Sequence, residues 1–268
     1  MRYFLQLAYK GTAYHGWQVQ QNAQSVQGVI QERLKQILQK EVVLVGSSRT
    51  DTGVHAQQQW AHVELDSSID TDQLHYQLNA TLPPDIAIHT ICPVKSTAHA
   101  RFDALSRTYE YLILQTKNPF LQETSYLLKR KLDIKAMNEA AAILCHKKDF
   151  ESFSKLRSGD QHYVCTITEA QWIATGSQLV FRIQANRFVR GMVRSIVSNL
   201  LEIGLGKSSV SGFEALIDKR DRSLGASLVP ACGLTLKQVT YPANIFINKN
   251  HLPRKSFLEL SLSSFLYV

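Results

Sequence analysis

Residues 25–39 read Ser-Val-Gln-Gly-Val-Ile-Gln-Glu-Arg-Leu-Lys-Gln-Ile-Leu-Gln and set Val26, Val29, Ile30, Leu34, Ile37 and Leu38 on one face of a helix. Residues 3–9, just before it, alternate as a strand. Strand-like runs follow at 41–46 and 57–65, then a helix near 70–79 and a strand near 86–92. Strand, helix, strand, strand, helix, strand is the order of one ferredoxin-like unit. The second half reads the same way. Ser106 to Gln115 is a strand, and residues 133–145 are a helix with Ile134, Met137, Ala141 and Leu144 inward. Residues 164–174 and 178–185 form a hairpin, 187–203 an amphipathic helix, 209–219 a shorter helix and Leu234 to Tyr241 a strand. The expected fold class is α+β, with two tandem ferredoxin-like (RRM-like) halves whose antiparallel sheets flank a central basic cleft. The expected units are 1–104, 105–243 and a C-terminal extension, 244–268. Such a superfold hosts many functions and specifies none.

The chain has 268 residues, enough to bury a full core, and 44% of them are hydrophobic. Its formal net charge is +8, which directs attention to a polyanion, nucleic acid before membrane, because phosphates reward clustered Lys and Arg. Cys92, Cys145, Cys165 and Cys232 form no C-x-x-C pair, which argues against a zinc knuckle or a disulfide framework and for reduced cytosolic thiols. The N-terminus lacks the apolar stretch of a signal peptide, and the apolar 256–268 segment is too short for a membrane helix. A cytoplasmic protein with no membrane partner is expected.

Residues 46–56, Gly-Ser-Ser-Arg-Thr-Asp-Thr-Gly-Val-His-Ala, hold one carboxylate, Asp51, between Arg49 and Gly53 directly after the apolar run 41–45. Small residues let a backbone approach closely, so a ligand can reach such a carboxylate; an Asx-type surface turn is the alternative. Residues 182–194 carry four arginines and no acid. On a helix starting near Arg187, Arg187, Arg190 and Arg194 share one side, and Val189, Met192, Val193, Ile196 and Leu200 the other. Arg101 and Arg107 add cations beside Phe102, Tyr109 and Tyr111, a mixture suited to a strand whose bases stack while its phosphates are neutralised. Gly204-Leu-Gly-Lys-Ser208 mimics the end of a P-loop but follows a helix and lacks the first glycine. The histidines show no metal-ligand spacing.

Six stretches together resemble the TruA family of tRNA pseudouridine synthases: Tyr9-Lys-Gly-Thr-Ala-Tyr-His-Gly-Trp-Gln18, Gly46 to Ala56, His99 to Tyr111, Lys148 to Phe153, Arg187 to Arg194 and Pro230 to Leu236. The resemblance spans roughly residues 1–242. It implies isomerisation of uridine to pseudouridine at positions 38, 39 and 40 of the tRNA anticodon stem-loop, without cofactor or metal. It also implies a homodimer whose subunits share each tRNA. By the same resemblance Asp51 is the catalytic aspartate and Arg194 its cationic partner. Arg49 fills the space left by the flipped base, Tyr109 stacks on that base and Leu234 lines its pocket. Arg101, Arg107, Arg187 and Arg190 are expected as RNA contacts. Ser47-Ser48 departs from the family's usual Ala-Gly, and Thr52 from a small alanine. A non-catalytic RNA-binding protein on the same scaffold would need the arginines but not the carboxylate. A small-molecule enzyme would need neither the arginines nor a steep salt dependence.

Overall fold

A computed structural model describes residues 1–154 and 162–247. The chain begins with strand β1 (Arg2–Tyr9), helix α1 (Val26–Leu38), the two-residue strand β2 (Val45–Gly46) and strand β3 (His55–Glu64). Helix α2 (Thr71–Thr81) and strand β4 (Ile86–Pro93) complete the first half. The second half contains β5 (Ser106–Leu114), β6 (Tyr126–Leu127), α3 (Ile134–Leu144), β7 (Ile167–Thr175) and β8 (Gln178–Ala185). Helices α4 (Met192–Gly204) and α5 (Val210–Lys219) and strand β9 (Leu234–Thr240) follow.

Local chemistry explains most of these boundaries. Asp70, Asp133, Ser25 and Ser209 each accept hydrogen bonds from first-turn N–H groups and so start α2, α3, α1 and α5. In β8, every second residue is buried, the period-two pattern of a strand with one face on a core. Helix α4 is the exception. The periodicity places its start near Arg187, but the helix starts at Met192 because Gly191 takes φ +76°, a left-handed turn that breaks the preceding backbone. Arg187 and Arg190 therefore sit on the β8–α4 connection, and only Arg194 is helical. The 41–46 run is likewise shorter than its composition suggests, since only Val45 and Gly46 pair with β3, opposite His62 and Ala61.

Among the described residues the strands make one mostly antiparallel sheet in the order β4-β1-β3-β9-β5-β8-β7, with β2 on β3 and β6 on β5. The expected pair of separate sheets flanking a cleft is thus replaced by a single sheet. The join is a short parallel pairing of β3 with β9, His55 opposite Thr235 and Ala56 opposite Leu236. Side chains reinforce it. The Gly11 N–H donates to His55 Nδ1 at 3.0 Å, which leaves the hydrogen on Nε2, and Nε2 donates to the Cys232 carbonyl at 3.1 Å. The Val239 N–H donates to Gln58 Oε1 at 2.9 Å. Phe4 and Trp60 of the first half pack with Tyr241 and Phe246 of the second. The start of the 244–268 extension thus joins the core; residues 248–268 lie outside the described residues.

Histidines brace this core in the neutral form. Burial pushes His55 below the ordinary histidine value, and burial with the nearby His99 charge pushes His62 down to about 4. The unfolded chain takes up these protons near pH 6.5, so between about pH 6.5 and 4 it binds more protons than the folded chain. Stability should be level above pH 6.5 and fall as the pH drops through that window. Urea midpoints at pH 7.5 and 5.0 check this. His62→Asn, whose oxygen can still accept the Ala100 N–H, should flatten the fall; identical midpoints for the parent protein at both pH values would remove the histidine brace.

Candidate active site

Asp51 lies in the loop joining β2 to β3, and three sets of bonds hold that loop. At its start the Ser47 N–H donates to the Trp60 carbonyl at 2.7 Å, the Ser47 hydroxyl to Gln59 Oε1 at 2.5 Å, and Gln59 Nε2 to the Ser48 carbonyl at 2.8 Å. In its middle, Thr50 Oγ1 shares a 2.7 Å hydrogen bond with the Tyr9 hydroxyl, and the Trp17 N–H donates to the Thr50 carbonyl at 3.1 Å. At its end the Val54 N–H closes a turn onto the Asp51 carbonyl at 3.1 Å. Glycine is needed where segment 9–18 crosses this loop. Gly16 has φ +88°, and a Cβ there would sit 2.5 Å from the Thr50 carbonyl oxygen. Gly53, at φ +77°, turns the chain into β3.

The Asp51 side chain is 20% exposed. Arg190 Nε donates to Asp51 Oδ1 at 3.2 Å, and Arg194 Nη1 stands 4.0 Å from Oδ2. Arg194 is held in place by its own Nε–H, which donates to the Val229 carbonyl at 2.8 Å. Arg194, the partner expected from the family resemblance, therefore stands near the carboxylate, but the closer cation is Arg190, which was expected as an RNA contact.

These groups open into a cavity of about 760 Å3. Among the described residues Asp51 is the one carboxylate in its lining, and six arginines share the walls: Arg49, Arg101, Arg107, Arg187, Arg190 and Arg194. Arg49 is exposed and makes no ion pair or hydrogen bond among the described residues. Tyr109 of β5 is buried at the cavity wall, its ring edge-to-face with Phe188 at 5.2 Å. Burial pushes its hydroxyl up to about 12, eased by a hydrogen bond with Ser48, so it stays protonated at neutral pH. Leu234, the first residue of β9, lies opposite Tyr111 and lines the same cavity.

Arg107 differs from the other arginines. It is buried, and its guanidinium donates to four main-chain carbonyls: Ala104 at 3.0 Å, Asn186 at 2.7 Å, Ser47 at 3.3 Å and Arg101 at 2.5 Å. It ties the Asp51 loop, the 98–105 loop and the β8–α4 connection to β5. The structure also adds Ser48 and Phe188, which sequence reasoning left without a role. Neither carries a signal in the chain; both matter because folding brings them against Tyr109.

A cavity with six guanidinium groups and one paired carboxylate can hold a polyanion, present an ionised acid to it and stack a flat group on Tyr109. Among the described residues no three His, Cys, Asp or Glu side chains converge as a metal-ligand set, and no helix is long and apolar enough to cross a membrane. Comparison with known proteins agrees with the polyanion reading. A family model described as tRNA pseudouridine synthase matches residues 7–103 and 140–242. A protein of Porphyromonas gingivalis named tRNA pseudouridine synthase A is 46% identical over 92% of this chain and 99% of its own length. Similarly named proteins of Bacteroides fragilis and Chlorobaculum tepidum are 44% and 37% identical, over 91% and 88% of this chain and 98% and 96% of their own lengths. The chain belongs to the tRNA pseudouridine synthase family, isomerases that convert uridine to pseudouridine.

Removing the Arg107 donors should leave four carbonyls short of a partner, those of Ala104 and Ser47 in fully buried bonds. At about 1–3 kcal/mol for each buried group left unsatisfied, Arg107→Leu should cost ~3 kcal/mol or more, read as a lower urea midpoint. Arg107→Lys should recover only part of it, because an ammonium lacks the planar fork. An unchanged midpoint for Arg107→Leu would show that the loops hold without it.

Proposed function

We propose that this chain isomerises uridines 38, 39 and 40 of the tRNA anticodon stem-loop, with Asp51 as the covalent catalyst. The observation that carries the reading is the single carboxylate of the arginine-lined cavity, held by Arg190 and Arg194 beside the buried Tyr109. The reaction exchanges the N1–C1′ glycosidic bond for a C5–C1′ bond. Asp51 forms a covalent bond that holds the intermediate while the uracil turns, and that bond breaks as the product forms. The C5 hydrogen leaves as a proton and N1 gains one, so the atoms balance with no co-reactant.

Unstacking the target base costs a few kcal/mol, and a substitute contact offsets it. Arg49, exposed on the Asp51 loop and without an ion pair or hydrogen bond among the described residues, enters the vacated space. Tyr109 stacks on the flipped base, a contact worth ~1–3 kcal/mol, and Leu234 closes the pocket. Arg101 and Arg187 hold phosphates, and Arg190 joins them while pairing with Asp51. Arg107, expected as an RNA contact, acts in this reading by shaping the walls. The strand orders β4-β1-β3-β2 and β9-β5-β8-β7 support two ferredoxin-like halves fused edge to edge. On the family resemblance the enzyme works in the cytoplasm as a homodimer that shares each tRNA.

With a tRNA transcript carrying tritium at uridine C5, the parent protein should release label and Asp51→Asn should release none while binding within a few-fold. Tight binding without release by the parent would overturn the catalytic reading. Arg187→Glu should weaken binding and lower its salt slope by about one or more; an unchanged slope would take this residue off the RNA face.

A further inference from the structure

The loop from Ala98 to Ala104 is tied down more heavily than its length requires. Arg2 Nη1 donates to the Ala98 carbonyl at 2.7 Å, the Ala100 N–H donates to His62 Nδ1 at 3.1 Å, and the Tyr241 hydroxyl donates to the Ala100 carbonyl. Arg107 holds the carbonyls of Arg101 and Ala104. Within the loop, the His99 N–H donates to Asp103 Oδ2 at 2.7 Å, and His99 Nδ1 accepts from the N–H groups of Arg101 at 3.1 Å and Phe102 at 3.3 Å.

All this order fixes a side chain that gains little burial from it. Phe102 is 74% exposed at the cavity wall. Phe120 is also exposed but is not part of the cavity. One face of the Phe102 ring rests on the His99 imidazole, centroids 4.3 Å apart and planes tilted by 32°, and His99 in turn packs edge-on to the buried His62 at 4.6 Å. The Arg101 guanidinium carbon lies 5.7 Å from the Phe102 ring centre. A row of three rings thus runs from the core to solvent and ends in a largely exposed ring with a guanidinium over it.

We propose that Phe102 is a second stacking platform, which seats an unpaired base neighbouring the flipped uridine at the mouth of the cavity. The proposal rests on the reading of the cavity as a uridine site. A rigid aromatic face accepts any base, because every base offers a π-face, and the adjacent arginine meets the phosphate that follows it. Phe102 acts by positioning the RNA strand, whereas Tyr109 and Asp51 meet the reacting nucleotide itself. The ring is already fixed before RNA arrives, so stacking orders only the base.

The three native tryptophans, Trp17, Trp60 and Trp172, are buried, so Phe102→Trp introduces an exposed fluorophore. On titration with an unmodified tRNA transcript, F102W should bind like the parent protein and its exposed emission should be quenched by the stacked base. Phe102→Ala should weaken binding roughly 5- to 100-fold, the range of one lost base-stacking contact, and Phe102→Leu should not restore it. Thermal unfolding of all three variants should match the parent, because little of this ring is buried. Leucine binding as well as phenylalanine, or RNA bound by F102W without quenching, overturns the platform alone. Failure of the parent protein to bind the transcript overturns the uridine-site reading and the platform with it.

Discussion

Strands β3 and β9 run parallel over His55–Ala56 and Thr235–Leu236, and this short seam joins the strands of the N-terminal and C-terminal parts of the chain into one sheet. The geometry of the cavity depends on it. Asp51 lies four residues before the seam on one side, and Leu234 immediately before it on the other. The seam therefore sets the distance between the carboxylate and the pocket floor. Two ladder residues are few for such a task, so side chains add to them. His55 bridges Gly11 and the Cys232 carbonyl across the join, and an exposed ion pair links Lys10 with Glu123. The buried histidine matters more than the ion pair, since exposed pairs contribute little.

The electrostatics of the site follow from that placement. Six arginines converging on one cavity would repel one another and bind any anion. Two devices give them order. Arg107 spends its donors on main-chain carbonyls and so acts as a brace, while Arg190 and Arg194 divide the charge of Asp51 between them. Arg49 is left lining the cavity with no ion pair or hydrogen bond among the described residues. The same contrast separates Tyr109 from Phe102: one ring is buried against Phe188 and Ser48, the other is held out on a rigid loop.

The Ser47-Ser48 pair, read by the family resemblance as a departure from Ala-Gly, acquires a physical account. Ser47 is buried and its hydroxyl donates to Gln59, so the extra oxygen is satisfied. The Ser48 hydroxyl meets that of Tyr109. Both serines thus fasten the Asp51 loop to neighbouring strands. Nothing in the structure explains Thr52 in place of a small alanine.

Periodicity was enough to place α1, α2, α3, α5 and most strands, because amphipathic spacing is a local property. The motif around Asp51 and the family it belongs to were legible for the same reason, since both are carried by contiguous residues. What the chain alone misplaced is instructive. The 187–203 pattern read as one helix because its apolar spacing is continuous, yet Gly191 at φ +76° ends the connection and starts the helix at Met192. That turn swings Arg190 onto Asp51 ahead of Arg194. The union of the halves into one sheet, the burial of Arg107 and the exposure of Phe102 arise from contacts between residues far apart in sequence. The sequence determines that arginines, aromatics and the Asp51 motif are present; only tertiary packing decides which arginine braces, which one pairs and which ring faces solvent, because burial and hydrogen-bond geometry are properties of neighbours that the chain brings together only on folding.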